Sequence, residues 1–370
     1  MKKRAPIKPA ARPAAKKSAP SRARGWLPAV AAAAALTLWL APIPPHVIER
    51  WYSRGIYPPW QRVATMMSNF VPFALFDLLI VAIVAIVAVA IIRARRGGGW
   101  RPAAVRVLLV ASVAAIWFQL AWGLNYRRVP IAESLSLETS GESSNAEKAA
   151  ALARFAKAVA AEASATAADL DRETPISPSR MMAELSSGFA RAQQRAGLTA
   201  LARPGRPKRS LFNPYFRWAA IDGVTNPFIP ETMVVSGLVP AEAYATVAHE
   251  WAHLAGYASE DEANFVGWLA CLEAGGGARY NAWLFALMKA AGAAPREEAR
   301  AWMAAAGPAA ARDLEAIRRR LLSSSPAVRR AASTAYDGFL RANRVEGGIA
   351  SYDEVLKLML AAAPDGRPRL

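Results

Sequence analysis

Cysteine and histidine are scarce in this 370-residue chain, which contains one cysteine and three histidines. A single cysteine, Cys271, excludes an intrachain disulfide, so a folded domain must be stabilised by its core. Cys271 follows an apolar run, and we interpret it as a small buried side chain rather than a reactive thiol. Because histidine is so rare, a motif that uses two of the three histidines is informative.

Acidic residues are absent from the two segments in which positive charge is concentrated. Residues 1–24 contain nine Lys or Arg, and residues 93–106 contain five arginines. Residues 129–370 carry 27 basic and 26 acidic side chains, so this region is almost neutral although the whole chain has a net charge of +18. Positive charge that is concentrated beside apolar stretches is typical of the cytoplasmic segments of a membrane protein, rather than of a surface that binds nucleic acid. We therefore predict no nucleic-acid partner.

Long apolar stretches at residues 26–42, 69–92 and 103–124 predict three transmembrane helices. The first stretch resembles a signal peptide, but two clearer spans follow it and it lacks a small-x-small cleavage site, so a retained anchor is favoured. Asp77 is the one charge in the second span, and we expect it to contact the other helices of a three-helix bundle. Residues 42–68 are expected to form the connecting loop.

The two basic segments lie on the same side of the membrane, because two crossings separate them. The positive-inside rule assigns that side to the cytoplasm. We predict a disordered basic cytoplasmic tail at residues 1–25, a membrane anchor at 26–126 and an extracytoplasmic domain at 127–370, with the lipid bilayer as a partner. A re-entrant third span would move the domain into the membrane or the cytoplasm, and the polar composition after Tyr126 disfavours that alternative.

The region after residue 126 is predicted to be mainly helical. Ser144 and Glu147 form a capping-box pattern, and Ser177 before a proline predicts a second helix start. Residues 198–240 differ, because they contain prolines, glycines and short β-prone runs at 215–221 and 232–235. The fold class is therefore mainly α with a minor α+β component: three transmembrane helices, then a helical domain with a small β-sheet or hairpin.

The motif HEWAH at residues 249–253 is the main chemical signal in the sequence. On a helix, His249 and His253 lie one turn apart on one face and can bind the same Zn²⁺ ion. Glu250 lies beside this face, where it can take a proton from water as a general base. The alternative is two partly buried histidines without a metal.

A third protein ligand would leave the fourth position of a zinc site for water. Glu260, Asp261 and Glu262 follow the motif, and Ser259 with Glu262 has the spacing of a capping box, which gives Glu262 a structural role. We therefore predict Glu260 as the metal ligand, with Glu262 as the alternative ligand. Asn264, one turn further, is predicted to orient a ligand imidazole.

The pattern HExxH followed by E-x-x-A-N resembles gluzincin-type zinc peptidases. Residues 122–128 (WGLNYRR), 248–271 (AHEWAHLAGYASEDEANFVGWLAC) and 335–360 (AYDGFLRANRVEGGIASYDEVLKLML) resemble bacterial membrane proteins of domain-of-unknown-function family 3810. The resemblance implies a zincin-like domain with Glu260 as third zinc ligand, in the periplasm, on the bacterial inner membrane. In this chain only six residues separate His253 from Glu260, a shorter gap than in gluzincins.

Two functions remain open at this point. The first is a membrane-anchored zinc metallopeptidase that hydrolyses a peptide or protein substrate by means of a metal-activated water. The second is a non-catalytic, zinc-stabilised sensor or envelope assembly factor. An edge strand from residues 223–240 could pair with an extended peptide, or could be an ordinary hairpin.

A peptidase also needs a donor for the oxyanion, and the sequence offers candidate tyrosines without selecting one: Tyr244, Tyr257 and Tyr280. His46, among prolines in the connecting loop, is expected to lie at the membrane interface rather than at the metal.

Overall fold

The computed structural model describes residues 26–139, 144–345 and 354–369. Within these ranges the protein is mainly helical and contains one two-stranded sheet, in agreement with the predicted fold class. The basic tail predicted at residues 1–25 lies outside the described residues.

Two helices, α4 (Leu75–Arg93) and α5 (Trp100–Ala121), are long and apolar enough to cross a membrane. The first predicted span corresponds to α1 (Leu27–Leu40), which is shorter. The chain bends by 106° after α1 and continues as a helical segment at Pro45–Phe70, and the described residues hold three spans if this bent pair counts as one.

The connecting loop predicted at residues 42–68 is wrong, because most of this segment is helical. It consists of α2 (Pro45–Val47), a π-helical stretch (Ile48–Ile56) and α3 (Tyr57–Phe70). Pro45 and Pro58 stand in the first turns of α2 and α3, and the turn with Pro58 directly follows the π-helical stretch, so these prolines do not interrupt the helical segment.

The remaining helices follow the periodicity of the sequence, and the predicted N-caps Ser144 and Ser177 both accept a backbone hydrogen bond. Ser144 and Glu147 form the predicted capping box. In chain order these helices are α6 (Ile131–Ser134), α7 (Asn145–Thr166), α8 (Pro178–Arg195), α9 (Asn213–Ala219), α10 (Pro240–Leu254), α11 (Glu260–Ala274), α12 (Gly276–Gly292), α13 (Arg296–Ala305), α14 (Gly307–Leu322), α15 (Pro326–Ala342) and α16 (Val355–Ala362).

Helix α11 lies at the centre of the core and packs against α8, α10, α12 and α16. Its side chains are buried nearly all around, as expected of a helix enclosed by others. The largest fully buried side chains around it include Trp251, Trp268, Phe189 and Phe265, and the buried cysteine Cys271 also belongs to this core. The helix that follows the HEWAH motif is therefore fixed by packing on several sides.

The sheet is a hairpin in which β1 (Gly223–Asn226) pairs antiparallel with β2 (Glu231–Val234). Lys208 forms a parallel bridge to Met233 on the other side of β2, which leaves β1 at the edge of the sheet within the described residues. The strand predicted near 232–235 is thus confirmed. The strand predicted at 215–221 is wrong, because Pro214 in the first turn starts the short helix α9 there.

Asp77 contacts the region after the membrane anchor and not, as predicted, the other helices of the bundle. Its carboxylate accepts hydrogen bonds from Ser210 Oγ at 2.6 Å and from the Leu211 backbone N–H at 2.7 Å. Glu231 of β2 serves the same helix, because it accepts the backbone N–H groups of Leu75 and Phe76. The N–H groups of Leu75 and Phe76 have no intrahelical partner, so Glu231 satisfies them. Together, Asp77 and Glu231 connect the start of α4 to the domain.

We predict that Gly188→Ala will destabilise the core where α8 meets α11. A Cβ at Gly188 would lie 2.5 Å from the Ala274 backbone nitrogen and also too close to the Ala270 carbonyl oxygen. Backbone atoms of a central helix cannot yield as a flexible side chain can, so overpacking should cost about 2 kcal/mol or more. Thermal unfolding of the purified full chain in detergent measures this as a lowered midpoint.

The matched control is Gly338→Ala, because Gly338 is also helical but a Cβ there meets nothing within 4 Å. Alanine should raise the unfolding midpoint slightly at that position, by the difference in helix propensity of about 0.8 kcal/mol. Equal effects of the two substitutions would contradict close packing at Gly188.

Candidate metal centre

Three ligand atoms from two helices converge near the end of α10. Nε2 of His253 lies 3.1 Å from Nε2 of His249. Oε2 of Glu260 lies 3.2 Å from the His249 nitrogen and 3.7 Å from the His253 nitrogen. A tetrahedral ion with bonds of about 2.0–2.1 Å requires ligand atoms about 3.3 Å apart. The group His249, His253 and Glu260 could therefore hold a metal ion.

The turn between the helices explains how Glu260 reaches the histidines within so few residues. Helix α10 ends at Leu254, and Gly256 has a φ of +85°, a conformation that favours glycine. The backbone N–H of Tyr257 bonds to the Ala252 carbonyl and that of Gly256 to the His253 carbonyl, which closes the turn tightly. Helix α11 starts at Glu260, so this carboxylate projects from its first turn towards α10.

Gly267 allows α11 to lie directly against the turn of α10 that carries His249. A Cβ at Gly267 would lie 2.8 Å from the backbone nitrogen of His249, so only glycine permits this approach. Both ends of the ligand set are thereby fixed, one by the turn at Gly256 and the other by direct contact between the two helices.

The electrostatics of the group favour a cation at its centre. Burial opposes charge on His253, but the adjacent Glu260 carboxylate outweighs this and raises the pKa of His253 to about 9. Burial likewise opposes charge on Glu260, but His253 and His249 hold the pKa of that carboxyl well below its usual range. A buried carboxylate beside His253, whose pKa it raises, forms a site where a divalent ion can replace a proton.

An unpaired polar atom supports the fit to a metal. Glu260 Oε2 is buried without a hydrogen-bond partner, and such an unpaired atom is costly unless another group satisfies it. Glu260 Oε2 is the carboxylate oxygen that faces the two Nε2 atoms. His253 is oriented from behind, because its Nδ1 lies 2.8 Å from the Tyr257 carbonyl oxygen. Nitrogen and carboxylate ligands in this arrangement are those that zinc prefers.

Glu250 lies beside this group, buried and held by the edge strand β1. The hydroxyl of Thr225 lies 2.8 Å from Glu250 Oε2 and 2.9 Å from its backbone carbonyl oxygen. A Cβ at Gly223 would lie 2.5 Å from Glu250 Oε1, so glycine is needed for the strand to pass this close. Burial raises the pKa of Glu250 above its ordinary value, which strengthens the carboxylate as a base.

Glu262 is turned away from the histidines. It accepts the backbone N–H of Ile131 at 2.6 Å, and its charge faces Arg128. The predicted capping box at Ser259 and Glu262 is wrong, because Ser259 makes no side-chain cap and Glu262 serves the start of α6 instead. Glu262 thus has a structural role through a different helix, and Glu260 is the carboxylate that joins the histidines.

Asn264 is buried one turn after Glu260, and its Nδ2 has no hydrogen-bond partner. His249 Nδ1 is unpaired as well. The role predicted for Asn264, orientation of a ligand imidazole, stays a prediction. His46 is exposed in α2 and does not belong to the group.

The tyrosine that reaches the site is Tyr336 of α15, which the sequence did not single out. Its hydroxyl donates to Glu260 Oε1, the oxygen opposite the one that faces the histidines. The three candidate tyrosines have partners elsewhere: Tyr244 donates to Glu184, Tyr257 to the Ala196 carbonyl and Tyr280 to Asp313. Thr225, Gly223 and Tyr336 were missed because nothing in their local sequence marks them.

The end of α10 is capped by the membrane anchor. Trp122 Nε1 donates to the His253 carbonyl at 3.0 Å, and the Tyr57 hydroxyl donates to the Leu254 carbonyl at 2.9 Å. Arg128 donates to the Gly256 carbonyl at 3.1 Å and also bonds Glu49. The last carbonyl groups of a helix lack intrahelical partners, so these bonds from the anchor complete the helix that carries both histidines.

Comparison with known proteins confirms the family. The family described as "Protein of unknown function (DUF3810)" matches residues 52–360, which include most of the helical segment after α1, both apolar helices and the whole candidate metal centre. No curated protein and no solved structure matches the chain. Because the match covers more than half of its length, the chain belongs to the DUF3810 family.

Proposed function

We propose that this protein is a membrane-anchored, zinc-dependent peptidase. The observation that carries the proposal is the combination of three converging ligand atoms with the buried carboxylate of Glu250 beside them. Among the described residues, no fourth histidine, cysteine, aspartate or glutamate joins the group, as expected of a site that keeps one position open for chemistry. This favours the peptidase over the non-catalytic, zinc-stabilised alternative.

Zinc bound by His249, His253 and Glu260 would supply a water of lowered pKa and would polarise the substrate carbonyl. Glu250 would act as the general base that accepts a proton from the attacking water and would pass that proton to the leaving amine. Its raised pKa suits both steps, because it lies closer to the working pH than that of an exposed carboxylate. Thr225 holds the Glu250 carboxylate in one orientation. The Tyr336 hydroxyl holds Glu260 by donating to Oε1, the oxygen that faces away from the histidines.

We further propose that the chain crosses the bacterial inner membrane with its N-terminus in the cytoplasm and its peptidase domain outside. Two or three apolar helices could span the membrane, and the arginines between α4 and α5 are typical of a cytoplasmic loop. A reporter enzyme fused after residue 128 that is active in the cytoplasm alone would overturn this orientation.

We predict that the purified full chain binds about one zinc per molecule and that Glu260→Ala loses it. Removal of one of three ligands leaves two imidazoles, which should retain less than about 0.1 zinc per chain after dialysis. Elemental analysis by mass spectrometry gives the ratio.

Glu262→Ala is the matched control, because this carboxylate is two residues away and equally buried but bonds Ile131. It should keep its zinc while its unfolding temperature falls, since the Ile131 N–H and Arg128 lose their partner. Loss of zinc in Glu262→Ala, with retention in Glu260→Ala, would contradict the assigned ligand set.

We predict that Glu250→Gln keeps zinc and loses peptidase activity. The amide preserves shape but cannot take a proton, and loss of a general base typically lowers rates by about 100-fold or more. Cleavage of fluorescently labelled casein by the full chain in detergent is the measurement. Glu315→Gln, an exposed carboxylate in surface ion pairs, is the control that should match the wild type. A zinc-loaded Glu250→Gln variant that cleaves at the wild-type rate would eliminate the proposed chemistry.

We predict that Thr225→Val lowers kcat without changing zinc content or KM. The substitution removes the hydrogen bond to the Glu250 carboxylate, and a bond to a charged group is worth about 1.5–3 kcal/mol, or about 10- to 100-fold in rate. Thr225→Ser keeps the hydroxyl and should restore kcat. A wild-type kcat in Thr225→Val would show that the hydrogen bond to Glu250 does not contribute to the rate.

A further inference from the structure

Helix α3 has an inverted distribution of polar residues. Its polar side chains face the protein: Gln61 donates to the Arg203 carbonyl, and Thr65 donates to the Pro230 carbonyl. Both side chains are fully buried, as is Ser68, which accepts from Lys208. In a helix that faces water the polar side points outwards, so this arrangement indicates an apolar medium on the other side.

The outward face of α3 is apolar and exposed. Phe70 is 82% exposed and Met67 is 62% exposed, and further apolar side chains, Val63 and Met66, share this face. Three more exposed apolar residues lie outside the candidate spans, namely Leu211, Tyr215 and Trp218. We call these seven residues the apolar collar. A soluble protein rarely exposes so many large apolar side chains on one surface.

The apolar collar lies at the level where α4 begins. Four residues separate Phe70 from Leu75, where α4 begins, and the Leu211 backbone N–H donates to Asp77 in the first turn of α4. Phe76 and Phe212 also contact each other through their rings, with centroids 6.4 Å apart. The collar therefore adjoins a helix that is long and apolar enough to cross a membrane, and lipid is the covering medium that fits both.

Helix α10, which carries both histidines, contacts the residue that directly follows the apolar helix α5. With 22 residues, α5 rises about 33 Å, close to the thickness of about 30 Å of the hydrocarbon core. The residue after α5 is Trp122, whose ring lies 6.1 Å from the ring of His253. The candidate metal centre is therefore next to the outer boundary of the lipid.

A row of aromatic rings leads from the ligand set to α5. Tyr336, which bonds Glu260, stacks on Phe339 at 6.0 Å, and Phe339 contacts Phe118 of α5 at 5.9 Å. Phe118 also contacts Phe228 at 5.9 Å, in the turn between β1 and β2. Phe339 is 37% exposed, so one side of this aromatic row can contact a substrate. Such a surface favours apolar side chains over the polar segments of a soluble peptide.

We infer that the site takes polypeptides that are themselves anchored in the membrane and cuts them in the segment next to the lipid surface. The inference names the substrate class and rests on the proposed peptidase function. A membrane-anchored chain is delivered to the boundary where the site lies, and its apolar residues near the membrane match the aromatic row. The connection to Trp122 fixes the depth of the site, so distance from the lipid selects the cleaved bond.

The depth of the site can be measured without substrate. Single cysteines at Met67, Phe339 and Lys157 of the full chain are labelled with a fluorophore in vesicles whose lipids carry a nitroxide near the headgroup. Cys271 is fully buried and does not take label. Lys157 is the exposed control on α7, which packs against α12 and α13. We expect strong quenching at Met67 and Phe339 and little at Lys157. Equal quenching at Phe339 and Lys157 would overturn the inference.

Substrate selection is tested with an unstructured reporter of mixed sequence that is fused to a single transmembrane helix through linkers of 5, 15 and 30 residues. The same reporter without the helix is the soluble control. All are incubated with the full chain in vesicles of phosphatidylethanolamine and phosphatidylglycerol, and Glu250→Gln gives the background. Because tethering alone raises the effective concentration, the decisive measurement is the position of the cut and not the rate.

We expect the cuts in all three tethered reporters to lie at the same short distance from the membrane, irrespective of linker length. Cuts at one sequence position, with a distance that grows with the linker, would overturn the inference while the peptidase function stands. Cleavage of no reporter above the Glu250→Gln background, including the soluble one, would instead reject the peptidase function and the inference together.

Discussion

The carbonyl groups at the end of α10 are the constraint on which the rest of the structure depends. The helix that carries both histidines ends inside the protein, where unpaired carbonyls are costly. Besides the Gly256 N–H, which bonds the His253 carbonyl, the donors to these carbonyls are Trp122, Tyr57 and Arg128, all from the predicted membrane anchor or its edge. The anchor is therefore part of the candidate metal centre, since without it the carbonyls of His253, Leu254 and Gly256 would lose these partners. A domain cut free at residue 127 would lack most of these bonds.

A second set of buried contacts joins the anchor to the other side of the site. Glu231 and Lys208 form an ion pair with side chains almost fully removed from solvent. A buried pair is tolerated only when further hydrogen bonds satisfy it, and here the N–H groups of α4, Ser68 and Asn226 do so. Because Glu231 belongs to β2 and β1 contacts Glu250, one short hairpin contacts both the start of α4 and Glu250. The anchor thus fixes α10 at one end and the hairpin at the other.

The parts of the site that the sequence predicted are those that depend on local geometry. His249 and His253 share a face by helical spacing, and Gly256 marks the turn that brings Glu260 back. The parts that it did not predict depend on tertiary contacts. Thr225 and Tyr336 come from a strand and a helix distant in sequence, and neither has a distinctive pattern. The capping box at Ser259 failed for a related reason, because Glu262 found a stronger partner in the distant Ile131 N–H.

In the fold, too, the features that depend on local sequence were predictable and those that depend on the surroundings were not. Helices with clear periodicity and caps, such as α7 after Ser144, were predictable, and so was the apolar character of α4 and α5. The helical segment after α1 was not, because its pattern is polar inwards and apolar outwards, opposite to that of a helix in water. That inversion has a consequence for function. Helix α3 bonds the domain through Gln61 and Thr65 and exposes Phe70 on its other side. If lipid covers that side, as we propose, the domain has no freedom to rise from the membrane. The candidate metal centre then keeps a fixed separation from the lipid, and access to it depends on where a substrate lies relative to the membrane as well as on the substrate's sequence.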